Sequence, residues 1–424
     1  HADAERGRAE ENLRTANAVA ITLVDMAEKR LPDLPRTEQI RKGLTDTALG
    51  TYQRALRQRP ADPEIRRMAA LFYRISANMH NNLKEVKVAR PYYQESVRLF
   101  EALVAENPSS TYRLGLAESF RDYSQLLNQA GELGAAREAL RQCIDRSRKL
   151  VTVDPKYAFY RRTLASALLN LSAVEYDAGR YVESRDACKE SAAIFAELLR
   201  AEPKDLHPYD GLFLAMSHNR SAIYLRETGS PEQALREHGQ AVTEAQRVLA
   251  TSPENNNFRN FVGRALVEQG RTLALKPEGR LSAEKNFSDA ILIWRNLRER
   301  NPDYPLYKDW LAVADEARAT IRLDLGRRPE ARNDLAESRQ ILEELVHDHS
   351  ESPDFEGHLA RTYLTLARLA QADSDRPSAA EWLAKAKAAA AEAIKLAPED
   401  ARLKRLDADV LEQSKNGNSP ARPE

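Results

Sequence analysis

The chain has 424 residues, in which 64 Lys and Arg balance 64 Asp and Glu, with only 16 glycines and two cysteines. A net charge of zero removes the electrostatic ground for a nucleic-acid or anionic-membrane protein, since such proteins carry a basic excess. Two cysteines build neither a disulfide framework nor a four-thiolate zinc site, and few glycines among many Ala, Leu, Glu and Arg favour helix over sheet.

At the N-terminus, residues 4–30 and 36–58 read as two amphipathic helices divided by Pro32 and Pro35, with Leu13, Ala16, Ala20, Leu23 and Ala27 forming one apolar face. Residues 1–62 are expected to cap the helical units that begin at Pro63. The apolar stretch from Ala18 to Val24 falls far short of the roughly 20 residues that a bilayer span requires. The first residue is His1 and no charged-apolar-small leader comes after it, so the chain is expected to be a processed or excised part of a longer protein.

Beyond the cap, prolines recur at a nearly constant interval. Pro108, Pro155, Pro203, Pro253, Pro302, Pro353 and Pro398 stand 47, 48, 50, 49, 51 and 45 residues apart, and Pro63 opens the first unit. Each of the seven comes after a polar or small residue that ends a helix-periodic run, where a helix stops and another starts. A second break falls midway, at Gly131, Gly179, Gly229, Gly279 and Gly326, and between Asp373 and Pro377 in the last unit. Each unit therefore reads as two helices of about 20 residues. The expected units are 63–107, 108–154, 155–202, 203–252, 253–301, 302–352 and 353–397, with a terminal capping helix over 398–413 and a disordered tail over 414–424.

Side-chain size repeats along with the breaks. In the first helices one column reads Ala70, Ala117, Ala165, Ala215, Gly263, Ala312, Ala360, and seven residues on another reads Ala77, Ser124, Ser172, Ala222, Gly270, Ala319, Ala367. The second helices repeat Ala89, Ala136, Ser184, Ala234, Ala283, Ala331, Ala379 and Ser96, Cys143, Ser191, Ala241, Ala290, Ser338, Ala386. Bulky columns lie between them, such as Leu103, Leu150, Leu198, Val248, Leu297 and Leu345. Small residues let helices approach while large neighbours fill the grooves, so each pair is expected to pack internally and onto the next.

These residues resemble the tetratricopeptide repeat family, whose pattern appears here as Leu116-Ala117 with Phe120, then Ala136 and Cys143, then Pro155. The period of about 48 exceeds the 34 of that family by one heptad per helix, which returns side chains to nearly the same face. The resemblance implies an all-α, right-handed α-α superhelix of long helix pairs. A second resemblance rests on Asn12, Ala16 and Val19, then Leu31 to Pro35, then Arg41 to Leu44. This stretch is similar to the segment after the transmembrane helix of planctomycete-type bacterial serine/threonine protein kinases. It implies the non-catalytic, extracytoplasmic, signalling part of a membrane-anchored kinase. The catalytic half is not in this sequence: it has no glycine-rich phosphate loop, Val-Ala-Ile-Lys strand, His-Arg-Asp loop or Asp-Phe-Gly triplet.

No residue pattern points to catalysis, a metal or a cofactor. His347 and His349 suit a helix C-terminus, where partial positive charge is favoured, better than a metal site. His80, His207, His218, His238 and His358 read as core or half-buried residues, and Cys143 and Cys188 as buried apolar ones. What remains is a binding face. In tetratricopeptide-type folds the first helices line the concave side, and the matching positions here are rich in Arg and Asn. They include Arg74, Arg121, Asn170, Asn219, Arg220, Arg264, Glu268 and Arg271, with Asn78, Arg162, Arg361 and Arg368 beside them. Guanidinium forks and amides hold carboxylates and extended backbone, so the expected partner is a protein or extended peptide, acidic or presenting a C-terminal carboxylate. A further row, Arg66, Arg113, Arg161, Arg259 and Lys308, is expected to pair with acidic groups of neighbouring helices. The function expected is a non-catalytic binding scaffold, as a kinase sensor region or as a free-standing adaptor of secreted or periplasmic complexes.

Overall fold

The computed structural model describes residues 18–27, 31, 37–200, 207 and 209–417. Most of the first helix expected in the cap lies outside them, although 18–27 are helical. After them come α1 (Glu38–Gln58), α2 (Pro63–Asn82), α3 (Val86–Glu106), α4 (Ser110–Gln129), α5 (Leu133–Val153), α6 (Ala158–Asp177), α7 (Tyr181–Leu199) and α8 (Asp210–Glu227). The series continues with α9 (Pro231–Thr251), α10 (Asn256–Leu273), α11 (Arg280–Arg300), α12 (Pro305–Asp324), α13 (Arg328–Asp348), α14 (Pro353–Ala372), α15 (Arg376–Leu396) and α16 (Ala401–Gly417). The fold class is all-α, built from consecutive helix pairs of the superhelical repeat kind. No strand occurs among the described residues. The last helix runs through Ser414 to Gly417, so the tail expected from Ser414 does not begin before 418, outside the described residues.

One turn chemistry joins the two helices of most pairs. Gly131, Gly179, Gly229 and Gly326 take φ of 75, 75, 80 and 78°, the left-handed conformation that closes a helix at little steric cost in glycine. The backbone then folds back onto the helix it leaves. Glu132 N donates to Leu127 O at 2.9 Å, Arg180 N to Glu175 O at 2.7 Å, Ser230 N to Leu225 O at 2.8 Å and Arg327 N to Arg322 O at 2.8 Å. Lys84 and Ser374 hold the same conformation at φ 61 and 62° without being glycine, and Glu85 and Asp375 make the equivalent bonds. Gly279, expected to mark the fifth turn, instead ends a 3₁₀ turn over Pro277–Gly279. Its φ is not left-handed; a Cβ there would lie 2.1 Å from the carbonyl oxygen of Leu273, so close backbone passage is what requires glycine.

The small columns are buried throughout. Ala70, Ala117, Ala165, Ala215, Ala312 and Ala360 are 0% exposed, as are Ser96, Cys143, Ser191, Ala241, Ala290, Ser338 and Ala386. The chain divides into two compact units. The first comprises residues 1–126, 138–167 and 300–304, and its core joins Leu49, Tyr52, Met68, Phe72, Leu99, Phe100 and Leu103, with Tyr52 stacked on Phe72 at 4.7 Å. His80 crosslinks this unit: its Nε2 lies 3.1 Å from Asp46 Oδ1 and its Nδ1 also meets Glu85. The second unit comprises residues 127–137, 168–299 and 305–424, with Leu212, Val248, Phe258, Phe261 and Val262 in one of its cores.

These geometries set two stability outcomes. Ala319→Leu inserts a side chain where none fits and should lower unfolding free energy by about 1 to 3 kcal/mol, whereas the same change at exposed Ala408 should be nearly neutral in urea unfolding. Ser374→Gly relieves a left-handed residue at an exposed turn and should raise stability by about 1 kcal/mol, seen as a higher melting temperature.

Candidate functional site

In the second unit, α10 begins under an Asn cap: Asn255 Oδ1 accepts from the backbone N–H of Asn257 and Phe258 at 3.0 and 3.1 Å. Two turns later Gly263 allows the fully buried Trp294 of α11 to lie against the α10 backbone. A Cβ at residue 263 would come within 2.9 Å of that ring. Trp294 is fixed by its indole N–H, which donates to Asn260 Oδ1 at 2.8 Å, and it stacks on Trp310 of α12 at 5.7 Å and 17°. The guanidinium of Arg264 lies over the Trp310 ring, 5.0 Å from its centre. A stack of buried Trp294 and half-buried Trp310 thus presents one arginine in a set place.

Arg264 makes no ion pair among the described residues, although the charge of Glu268 acts on it, and its Nε is buried without a hydrogen-bond acceptor. Burial, with the charge of Arg220 nearby, lowers its pKa to about 10, so it stays cationic near neutral pH. Arg220 of α8 likewise has no ion pair among the described residues; it lies over the ring of Tyr176, 5.5 Å from its centre. Arg361 of α14 lies within reach of the charges of Arg271 and Glu268. Its side chain is solvent-exposed, yet enclosure by surrounding protein and the charge of Arg271 push its pKa down. Asn170 Nδ2, on α6, is also buried without an acceptor.

Glu268 has a different part from the ligand contact expected of it. It is 6% exposed and already held, by Arg226 at 2.8 Å and by Arg271 at 2.6 Å. Burial opposes its charge, but Arg271 and Arg226 outweigh burial and hold the carboxyl well below the usual range. It therefore organises arginines. Asn219 also turns inward: its Oδ1 lies 3.1 Å from Nδ1 of His238, whose Nε2 lies 3.1 Å from Thr272 Oγ1. Arg74 and Arg121 belong to the first unit and are occupied there. Arg74 meets Asp122 at 2.7 Å and Glu118 at 3.2 Å, and Arg121 meets Asp122 at 2.8 Å. Despite burial, Arg121 and Arg74 bring the Asp122 carboxyl down to about 2. Of the expected site, Arg220 and Arg264 make no ion pair among the described residues and Asn170 Nδ2 has no acceptor, while the charge of Arg271 acts on Arg361. Arg226, Tyr176 and Trp310 are not among the expected residues. Aromatic support for arginine across helices has no short-range sequence signal.

The remaining candidates are structural. Burial pushes the Cys143 thiol up to about 12 and the Cys188 thiol up to about 11, far from nucleophiles. His218 meets Glu237 at 2.8 Å and His358 meets Asp309 at 2.7 Å. His347 lies in the last turn of α13 and His349 packs on Phe355. Among the described residues no group of three or more His, Cys, Asp or Glu is placed to hold a metal, and no helix is long and apolar enough to cross a membrane. In the outer arginine row, Arg66 binds Glu106 and Arg259 binds Glu254.

The tetratricopeptide repeat family matches residues 164–202, which hold most of α6 and all of α7. No curated protein sequence matches the chain. Among solved structures, the Rap protein complexed with Competence and Sporulation Factor is similar over 96% of this chain and 99% of its own, at 10% identity and a TM-score of 0.54. The apo form of RapI is similar over 82% and 99%, at 13% identity and a TM-score of 0.50. The chain carries a tetratricopeptide-like repeat region, and the likeness to these structures is one of fold.

His238 supplies a pH outcome. Burial lowers its pKa to about 4, so between the ordinary 6.5 and about 4 the unfolded chain takes up a proton that the folded one refuses. Stability from this group is therefore lost as pH falls through that window, by about 2 to 3 kcal/mol between about pH 7 and pH 4.5. Urea midpoints should drop more steeply with acid in the natural chain than in His238→Gln.

Proposed function

We propose that the chain is a non-catalytic scaffold whose first-helix face in the second unit captures an acidic protein segment. Repeat folds of this kind bind protein or peptide partners, and the similar Rap protein is one complexed with a factor. The observation that carries the acidic preference is Arg264: a cation held on a tryptophan, partly buried, with no ion pair among the described residues and with Glu268, the acid that acts on it, already bound by Arg226 and Arg271. Enclosing an unpaired charge is costly, and a ligand that brings the counter-ion recovers that cost as affinity. Arg220, close enough to shift the pKa of Arg264, provides a second fork, and the Asn170 amide provides a donor for peptide carbonyl groups.

The wider role proposed is the sensor or interaction region of a membrane-anchored serine/threonine protein kinase, extracytoplasmic in place. The Asn12 to Leu44 resemblance supports it. The alternative is a free-standing adaptor. Sequencing the native gene product upstream of His1 separates them: a kinase domain with an apolar span of about 20 residues after it establishes the first, and a start codon or signal peptide within a few residues overturns it.

The binding reading is tested by fluorescence anisotropy with fluorescein-labelled hexaglutamate. Arg220→Gln with Arg264→Gln should weaken capture by about tenfold or more. Arg98→Gln, at an exposed ion pair with Glu95 in the first unit, should leave it unchanged. Equal binding by all three chains would overturn an acidic preference at this face.

A further inference from the structure

The last helix, α16, does more than cover the end of the repeats. Its buried side, Leu403, Leu406 and Val410, packs inward, and Leu403 fills the space left by Gly357 of α14, where a Cβ would meet it at 2.6 Å. The start of the helix reaches α6, which precedes it by more than 200 residues. Ala401 Cβ would lie 3.1 Å from a Cβ at Gly179, the turn that closes α6. The Arg402 guanidinium then joins three carboxylates: Asp177 at the end of α6 at 3.1 Å, Asp354 at the start of α14 at 3.2 Å and its own helix cap Asp400 at 2.6 Å. Arg405 adds an ion pair to Glu227 of α8 at 2.8 Å and lies over the ring of Tyr181.

Asp177 links this clasp to the binding face. It comes directly after Tyr176, the residue that carries Arg220. It is 6% exposed, and burial raises its carboxyl against the opposing pull of Arg402 and then of Arg220. A buried carboxylate takes whatever cation is in reach. With Arg402 in place Asp177 has its partner, and Arg220 has no ion pair among the described residues.

We propose that Arg402 is a positioning residue for the anion site: by satisfying Asp177 from the C-terminal helix, it keeps Arg220 available to an acidic ligand. This rests on the reading of Arg220 and Arg264 as an acidic-segment site and adds that the affinity of that site is set by whether α16 is docked. Removing Arg402 turns Arg220 toward Asp177, and an internal ion pair replaces the ligand.

The experiment is hexaglutamate anisotropy on the full chain at low salt, with Arg402→Gln, Arg220→Gln, both together, and Arg402→Gln with Asp177→Asn. Arg402→Gln should weaken binding by about tenfold in the natural background and not further in the Arg220→Gln background, because it acts through that residue. Adding Asp177→Asn should return binding to within about threefold of the natural chain, and this double variant, which removes the charge at Asp177 and leaves Asp400 held by its helix-cap bonds to the backbone N–H of residue 402 and of Leu403, serves if Arg402→Gln alone does not fold. An equal loss in both backgrounds would make Arg402 merely structural, and no loss from Arg402→Gln would also overturn the inference while leaving the acidic site intact. Failure of the natural chain to bind hexaglutamate would overturn the site itself, and the inference with it.

Discussion

The structure depends on how closely one helix backbone can approach the next. Where the small columns run, Ala, Ser or Gly at 0 to a few per cent exposure lets the helices of a pair close up, and dispersion between tightly placed atoms then holds the stack. At Gly263 the same constraint reaches the proposed binding face. Only a residue without Cβ admits the Trp294 ring, that ring aligns Trp310, and Trp310 carries Arg264. A methyl group at residue 263 would thus displace a guanidinium by way of two indole rings, through contacts that are all apolar or aromatic.

The helix pairs are legible because each is written in local chemistry. The prolines mark first-helix starts, Asp62 and Asn255 cap two of them, and the glycines at 131, 179, 229 and 326 supply the left-handed turn. Ser374 and Lys84 show the limit of that signal. Both hold a conformation normally signalled by glycine, stabilised by the backbone bond of the next residue, Asp375 to Ala370 and Glu85 to His80. Gly279 shows the opposite case, a glycine whose reason is a passing carbonyl and not its own dihedral angle.

The site is legible in residue type and not in use. Period and face select Arg220, Arg264, Glu268 and Arg271 together, but period cannot tell a paired charge from an unpaired one. Glu268 is consumed by Arg226 and Arg271, and Arg74 by Asp122 and Glu118, through partners 3 to 48 residues away. Asn219 reads from its column as facing a ligand; His238 and Thr272, from a neighbouring helix and the next pair, make it part of a buried polar chain. Such pairings are decided by which side chains meet across repeats, and no single repeat contains that information.

The charge balance of the whole chain acquires a meaning from this. Equal numbers of acids and bases do not give a neutral surface, because acids that are buried or paired no longer act outward. In the second unit Glu268 is held by Arg226 and Arg271, Asp177 and Asp354 by Arg402, and Glu227 by Arg405 and Arg226. The acids nearest the face are thereby occupied, and Arg220 and Arg264 are left without ion pairs among the described residues. A local positive field is built inside a protein of zero net charge by pairing, and the same short-range origin confines it: at physiological salt it decays within roughly 8 Å of the guanidiniums. On the proposed reading, a ligand is therefore selected by the acid it places at that spot, not drawn in by the charge of the chain as a whole.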